Sequence, residues 1–191
     1  MPLVMSKEVV LDIETQSAAL ADLRQMRVAV VGVYFYETDQ FESFEEAQLG
    51  ALFKRLEHAD RIIGYNSKGF DIPILNRYYP GDLLRIPQLD ILEEIHKALG
   101  FRLKLDDVAS ATVGQRKSGH GLQAVEWWKQ GEIQKIKDYC LQDVKITREV
   151  YAYGKKYGAL AYEDRLGARK AIPVDFGQKQ GASAINLSLG F

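Results

Sequence analysis

Residues 7–15 read Lys-Glu-Val-Val-Leu-Asp-Ile-Glu-Thr, and their alternation predicts a β-strand over Lys7 to Glu14. Val9, Leu11 and Ile13 point to one face, and Val10, Asp12 and Glu14 to the other. Two carboxylates therefore share a face of a strand otherwise dressed for burial. Like charges so placed repel and are poorly solvated unless a cation sits between them. A strand end emerging into water accounts for the same pair, and a chain of this length shows about one Asp-x-Glu by chance.

Outward from this strand, the apolar run Met26 to Tyr36, rich in β-branched and aromatic residues, reads as a buried strand. A turn at Thr38-Asp39 leads to a short strand over Gln40 to Phe44, so the chain opens with an antiparallel meander. Ser43 and Glu46 have the spacing of a capping box. Leu49, Leu52, Phe53 and Leu56 then form the stripe of an amphipathic helix. Arg61 to Tyr65 reads as a strand and Phe70 to Tyr79 as a helix that ends at Pro80-Gly81. Further helices are expected over Asp90 to Leu99, Leu105 to Thr112 and Leu122 to Gln130, with a Gly-rich loop at Gly114 to Gly121. A long helix follows from about Glu132 to Tyr157, with Ile136, Cys140, Val144, Thr147 and Tyr151 facing inward. Without repeats or linkers, this is one mixed α/β domain over residues 1–170, followed by a C-terminal tail over 171–191 that the pattern does not place. The antiparallel opening argues against a doubly wound parallel sheet.

Composition narrows the function classes. The 191 residues are 47% hydrophobic and 27% charged, a globular balance that argues against disordered, fibrous and membrane classes. Cys140 is the only cysteine, which excludes a disulfide framework and a Cys-rich zinc module and suits a reducing cytosol. No stretch reaches the ~20 apolar residues of a membrane span, and Met1 to Lys7 is too short for a signal peptide's apolar region. A soluble, cytoplasmic protein is expected. The net charge of −1 divides into −7 over residues 1–95 and +6 over residues 96–191. Such a division points mildly to a polyanion partner or an acidic metal site, unless the two halves interleave and average the field.

Two more acidic positions join the pair on the first strand. Asp71 lies in Gly64-Tyr-Asn-Ser-Lys-Gly-Phe-Asp-Ile-Pro-Ile-Leu75, where a strand feeds a loop and the aspartate opens a helix. The macrodipole alone favours an acid there, and Asn66 and Ser67 suit a turn. Asp143 follows Tyr139 by four residues, so the two share a helical face beside the apolar stripe.

Asp-x-Glu on the first strand, Asn-x-x-x-Phe-Asp at a strand-to-helix junction and Tyr-x-x-x-Asp on a late helix occur here in that order. The set resembles the DEDD superfamily of 3′→5′ exonucleases, and the tyrosine places the resemblance in the DEDDy branch. It is similar to predicted exonucleases of the ribonuclease-H-like family, related to the proofreading domain of family B DNA polymerases. The likeness covers roughly residues 7 to 160. It implies a ribonuclease-H-like fold: a central mixed sheet with antiparallel first strands, helices on both sides and an acidic cluster at one edge. It also implies 3′→5′ hydrolysis of single-stranded or frayed DNA or RNA ends, releasing nucleoside 5′-monophosphates, with two divalent cations, Mg²⁺ or Mn²⁺. In the family's arrangement Asp12 serves both metals, Glu14 and Asp143 complete the site of the nucleophilic water, Asp71 supports the second metal, and Tyr139 orients or deprotonates the water. Structure-specific endonucleolytic cleavage is the alternative on the same acids. A nucleic-acid-binding module without catalysis is another, against which the intact Asp12, Glu14, Asp71, Tyr139 and Asp143 argue.

The resemblance places Asn66 and Phe70 against the terminal nucleotides, by hydrogen bonding and stacking, although Phe70 also suits a core aromatic. Thr15 is a candidate donor to the 3′-end. The loop Gly114-Gln-Arg-Lys-Ser-Gly-His-Gly121 is no P-loop, because His120 stands where lysine is required. As a basic loop it offers Arg116, Lys117 and His120 to a phosphate backbone, or simply to water. Trp127 and Trp128 cannot both face inward on one helix. Cys140, in the inner stripe, reads as core.

Overall fold

The computed structural model describes residues 6–18, 22–116 and 121–177. Strands β1 (Glu8–Thr15), β2 (Val28–Phe35) and β3 (Gln40–Glu45) form the antiparallel meander, with Asp12 opposite Gly32 and Gly32 opposite Ser43. Strands β4 (Arg61–Gly64) and β5 (Gln88–Asp90) continue the sheet beyond β1 by parallel pairing, giving the order β3-β2-β1-β4-β5. All eight residues of β2 are buried, because both faces of the sheet are covered.

One face carries Val9, Leu11, Ile13, Val31 and Val33 against α1 (Leu49–Leu56) and the five-residue α2 (Asp71–Leu75). On the other, Val10, Tyr34 and Ile63 pack with α3 (Ile91–Leu99), α4 (Leu105–Val113) and α6 (Ile133–Tyr157). Helix α5 (Gly121–Lys129) adds Ala124, which clusters with Val30, Ile136 and Cys140. The architecture is the mixed, ribonuclease-H-like sheet with flanking helices that the sequence implies.

Three local expectations are corrected. Ser43 stays in the β3 ladder, and the capping box forms two residues later, where the Glu45 amide donates to Gln48 Oε1 at 2.9 Å. The helix expected from Phe70 to Tyr79 ends at Leu75. Beyond it, Arg77 donates to the Met26 carbonyl and Tyr78 accepts the Val28 amide, which turns the chain toward the start of β2. Asp90 ends a strand rather than beginning the helix, and its carboxylate caps α3 by accepting the amides of Leu92 and Glu93.

Past α6 the chain forms a hairpin of β6 (Ala159–Glu163) and β7 (Arg169–Pro173). The expected boundary at residue 170 falls within β7. Phe176, fully buried, stacks on Tyr151 with ring centroids 5.7 Å apart. A buried charge cluster fixes this end of the sheet. Arg61 pairs with Glu8, donates to Tyr151 Oη at 2.5 Å and reaches the carbonyls of Phe176 and Gly177 at 3.1 and 3.3 Å. Tyr151 and Lys155 complete the shell of Glu8 by donating to its carboxylate at 2.8 and 2.9 Å. No helix among the described residues is long and apolar enough to cross a membrane.

Candidate active site

β1 delivers the first two acids. Asp12 and Glu14 stand on the α6 side of the sheet, and the register with β2 shifts between Glu14 and Thr15, which bends the strand end. Pairing with β4 stops at Val10. The amide of Ile13 instead donates to Asp71 Oδ1 at 3.1 Å, which draws the first residue of α2 to the strand.

The loop between β4 and α2 is held from below. Asn66 adopts φ +64°, a left-handed conformation that asparagine tolerates better than most residues. The carboxylate of Asp90 accepts the amides of Asn66 at 2.8 Å and Lys68 at 3.0 Å while capping α3. Asp90 is a supporting residue that the sequence reading missed; its place just before an amphipathic helix was the visible sign.

Helix α6 brings Tyr139 and Asp143 across from β1. Between them Cys140, fully buried, accepts the Gly32 amide at 3.1 Å and lies 3.4 Å from the Asp12 carbonyl. Burial, reinforced by the carboxylates of Asp12 and Glu14, pushes the Cys140 thiol well above its ordinary range. It is therefore a protonated core thiol that donates to Asp12, not a nucleophile.

Carboxylate oxygens of Asp12, Glu14 and Asp143 lie within 4.8 Å of one another. They open into a cleft of about 410 Å³ also lined by Thr15, Asn66, Phe70, Asp71 and Tyr139. Glu14, Asp71 and Asp143 are buried, and Asp12 is partly exposed. This all-carboxylate donor set suits a hard divalent cation such as Mg²⁺ or Mn²⁺, which takes oxygen ligands. Asp71 lines the cleft but lies outside the three-acid group. Tyr139 is 4% exposed and meets Trp127 edge-on at 6.0 Å. Both Trp127 and Trp128 are partly buried beside α6.

The remaining candidates separate. The Thr15 hydroxyl donates to the Ser17 carbonyl at 2.7 Å, and the Asn66 side-chain oxygen accepts from Arg102. Phe70 is partly buried and packs on the core beneath the cleft. Arg116 is not at the cleft; it donates to Ser110 and lines a separate depression with Asp106, Asp107, Glu163 and Asp164. Lys117 and His120 lie outside the described residues. Tyr65 also lines the cleft; burial, then Asp107 and Asp90, pushes its phenol up, and it donates to the Leu103 carbonyl at 2.9 Å.

The family model described as the RNase_H superfamily matches residues 9–154, the span that contains all five acidic and tyrosine positions. The structure is similar to that of the family B DNA polymerase from the hyperthermophilic archaeon Pyrobaculum calidifontis, with a TM-score of 0.61 and 20% identity over 77% of this chain. That likeness is one of fold, and this chain spans only 24% of the polymerase. No curated protein matches the chain in sequence.

Proposed function

The chain belongs to the RNase H superfamily, and from that premise we propose that it is a metal-dependent 3′→5′ exonuclease acting on single-stranded or frayed nucleic acid. Membership supports a hydrolase acting on nucleic acid. The observation that carries the finer reading is the convergence of Asp12, Glu14 and Asp143 within 4.8 Å, in a cleft that Asp71 and Tyr139 also line.

Asp12, Glu14 and Asp143 would hold Mg²⁺ or Mn²⁺, with Asp12 shared between two ions and Asp71 supporting the second. When bound, such ions supply an activated water and neutralise the charge on the leaving oxygen. The chain's own groups do the rest. Tyr139 lines the cleft, and its hydroxyl would orient the attacking water or help to deprotonate it. Asn66, Phe70 and Thr15 line the wall that would receive the terminal nucleotide. A cleft of this volume is in the range of small-ligand sites, which favours a strand end over a continuous duplex. The products would be nucleoside 5′-monophosphates.

One time course tests this reading, with 5′-labelled single- and double-stranded DNA and RNA in Mn²⁺ or Mg²⁺ and a chelator control. The expected result is a ladder shortening from the 3′-end, abolished by chelation. One internal cut would indicate an endonuclease, and binding without cleavage a module that has lost catalysis.

A further inference from the structure

Gly32 lies in the middle of β2, directly opposite Asp12 in the β1–β2 ladder, and α6 crosses the sheet above it. A Cβ at this position would lie 2.9 Å from Cys140 Sγ, 3.1 Å from Val144 Cγ2 and 3.2 Å from the backbone carbonyl carbon of Cys140. The first contact is the shortest, and its sulfur is fully buried and held between the Gly32 amide and the Asp12 carbonyl, so it has no free space to turn into and would push α6 away. The other two contacts are relieved by a shift of a few tenths of an ångström. The missing Cβ is thus a notch into which the helix settles. Its conformational freedom is not the reason for the glycine, because Gly32 is an ordinary strand residue with no positive φ. The residues seated in the notch are those that flank the chemistry: Cys140 follows Tyr139, and Val144 follows Asp143.

The contacts around the notch run directly to the acids. Cys140 Sγ accepts the Gly32 amide at 3.1 Å and approaches the Asp12 carbonyl at 3.4 Å and Asp12 Oδ2 at 3.8 Å. Three backbones therefore meet at one sulfur: β2 at Gly32, β1 at Asp12 and α6 at Cys140. Packed interiors transmit displacements of this kind rather than absorbing them.

We propose that Gly32 is a positioning residue of the metal site: the notch opposite Asp12 sets the height of α6 above the sheet, and so the reach of Asp143 to Asp12 and Glu14. The inference rests on the metal-site reading above. It adds a residue that carries no ligand atom, touches no substrate and belongs to none of the three motifs.

The test is Mn²⁺ binding by titration calorimetry or by loss of the free-ion EPR signal, on wild type, Gly32→Ala and Gly32→Ala/Cys140→Ala, each checked for folding by circular dichroism. Gly32→Ala should raise the Mn²⁺ dissociation constant at least about tenfold and lower kcat while leaving KM for a short oligonucleotide within about twofold. Removing the sulfur in the double variant relieves the shortest contact and should restore Mn²⁺ binding to within about threefold of wild type. A folded Gly32→Ala that binds Mn²⁺ within twofold of wild type overturns the proposal. If Gly32→Ala does not fold, the double variant decides: folding and Mn²⁺ binding regained together support it, and a folded double variant that binds at least tenfold more weakly than wild type overturns it. Wild-type protein that binds no Mn²⁺ would instead defeat the metal-site reading itself.

Discussion

Asp71 Oδ1 accepts the backbone amide of Ile13 at 3.1 Å, so the acid that opens α2 is bonded to the peptide lying between Asp12 and Glu14. The bond replaces the ladder partner that β1 loses when β4 turns away after Gly64. Asp71 therefore has a structural task as well as its place in the cleft. Asp71→Ala should cost about 1.5–3 kcal/mol, the range for a hydrogen bond to a charged group, and should also abolish cleavage. Asp71→Asn keeps an oxygen for the amide. Its melting point should stay close to wild type while turnover falls. Equal thermal losses in the two variants would show that the amide bond does not depend on that oxygen.

Tyr139→Phe removes one hydroxyl and leaves the ring against Trp127. Turnover should fall by up to roughly 10²–10⁴-fold, the span of general acid–base catalysis, with oligonucleotide affinity little changed. Weakened binding at unchanged turnover would assign Tyr139 to the substrate instead.

The pattern of β1 and the three ordered motifs were legible in the sequence because each depends on short spacings: two residues on a strand, four on a helix. What remained hidden was long-range. Asp90 supports Asn66 from 24 residues away, and the Gly32–Cys140 contact spans 108 positions; neither leaves a periodic trace. The helix expected over Phe70 to Tyr79 failed for the same reason, since Arg77 and Tyr78 bond to Met26 and Val28, and such tertiary contacts override local propensity. The β6–β7 hairpin escaped because its strands are short, and β7 is mostly exposed, with no buried alternation to read. Arg116 looked like part of a basic grip, but Ser110 and the acids around it hold it elsewhere.

The Glu8–Arg61 cluster makes stability depend on pH in a defined direction. Burial opposes the charge on Glu8, yet the hydrogen bonds from Lys155 and Tyr151 and the field of Arg61 outweigh it and hold the carboxyl below its ordinary range. Its contribution is therefore complete above the unfolded value of about 4.3 and disappears as pH falls through the lower folded value. Glu8→Gln should melt below wild type at neutral pH, and the two curves should converge in strong acid. A gap that stays constant from pH 7 to pH 3 would contradict this.

Arg61→Ala should be more damaging, by about 3–5 kcal/mol, because it leaves a buried carboxylate short of its partner. It also releases the carbonyls of Phe176 and Gly177. Hydrogen exchange should therefore report faster opening over β7 and residues 174–177, while the cleft residues of β1 keep their protection. Uniform loss of protection across the chain would show that the cluster does not act locally on the C-terminal hairpin.

Asp12 shares its cleft with Glu14, Asp71 and Asp143, and Asp12→Ala should lower cleavage by at least ~10³-fold, as expected for loss of a principal electrostatic stabiliser. Melting of wild type and Asp12→Asn, with and without Mn²⁺, tests most directly whether these acids form one metal site. At a hundred times its dissociation constant, Mn²⁺ should stabilise wild type by about 2.7 kcal/mol, a rise of roughly 5–10 °C for a domain of this size. Asp12→Asn should raise the metal-free midpoint by relieving repulsion among the acids, and should remove most of the response to Mn²⁺. An unmoved wild-type midpoint together with a destabilised Asp12→Asn would mean that the acids do not share a cation, and the exonuclease reading would lose its chemical basis.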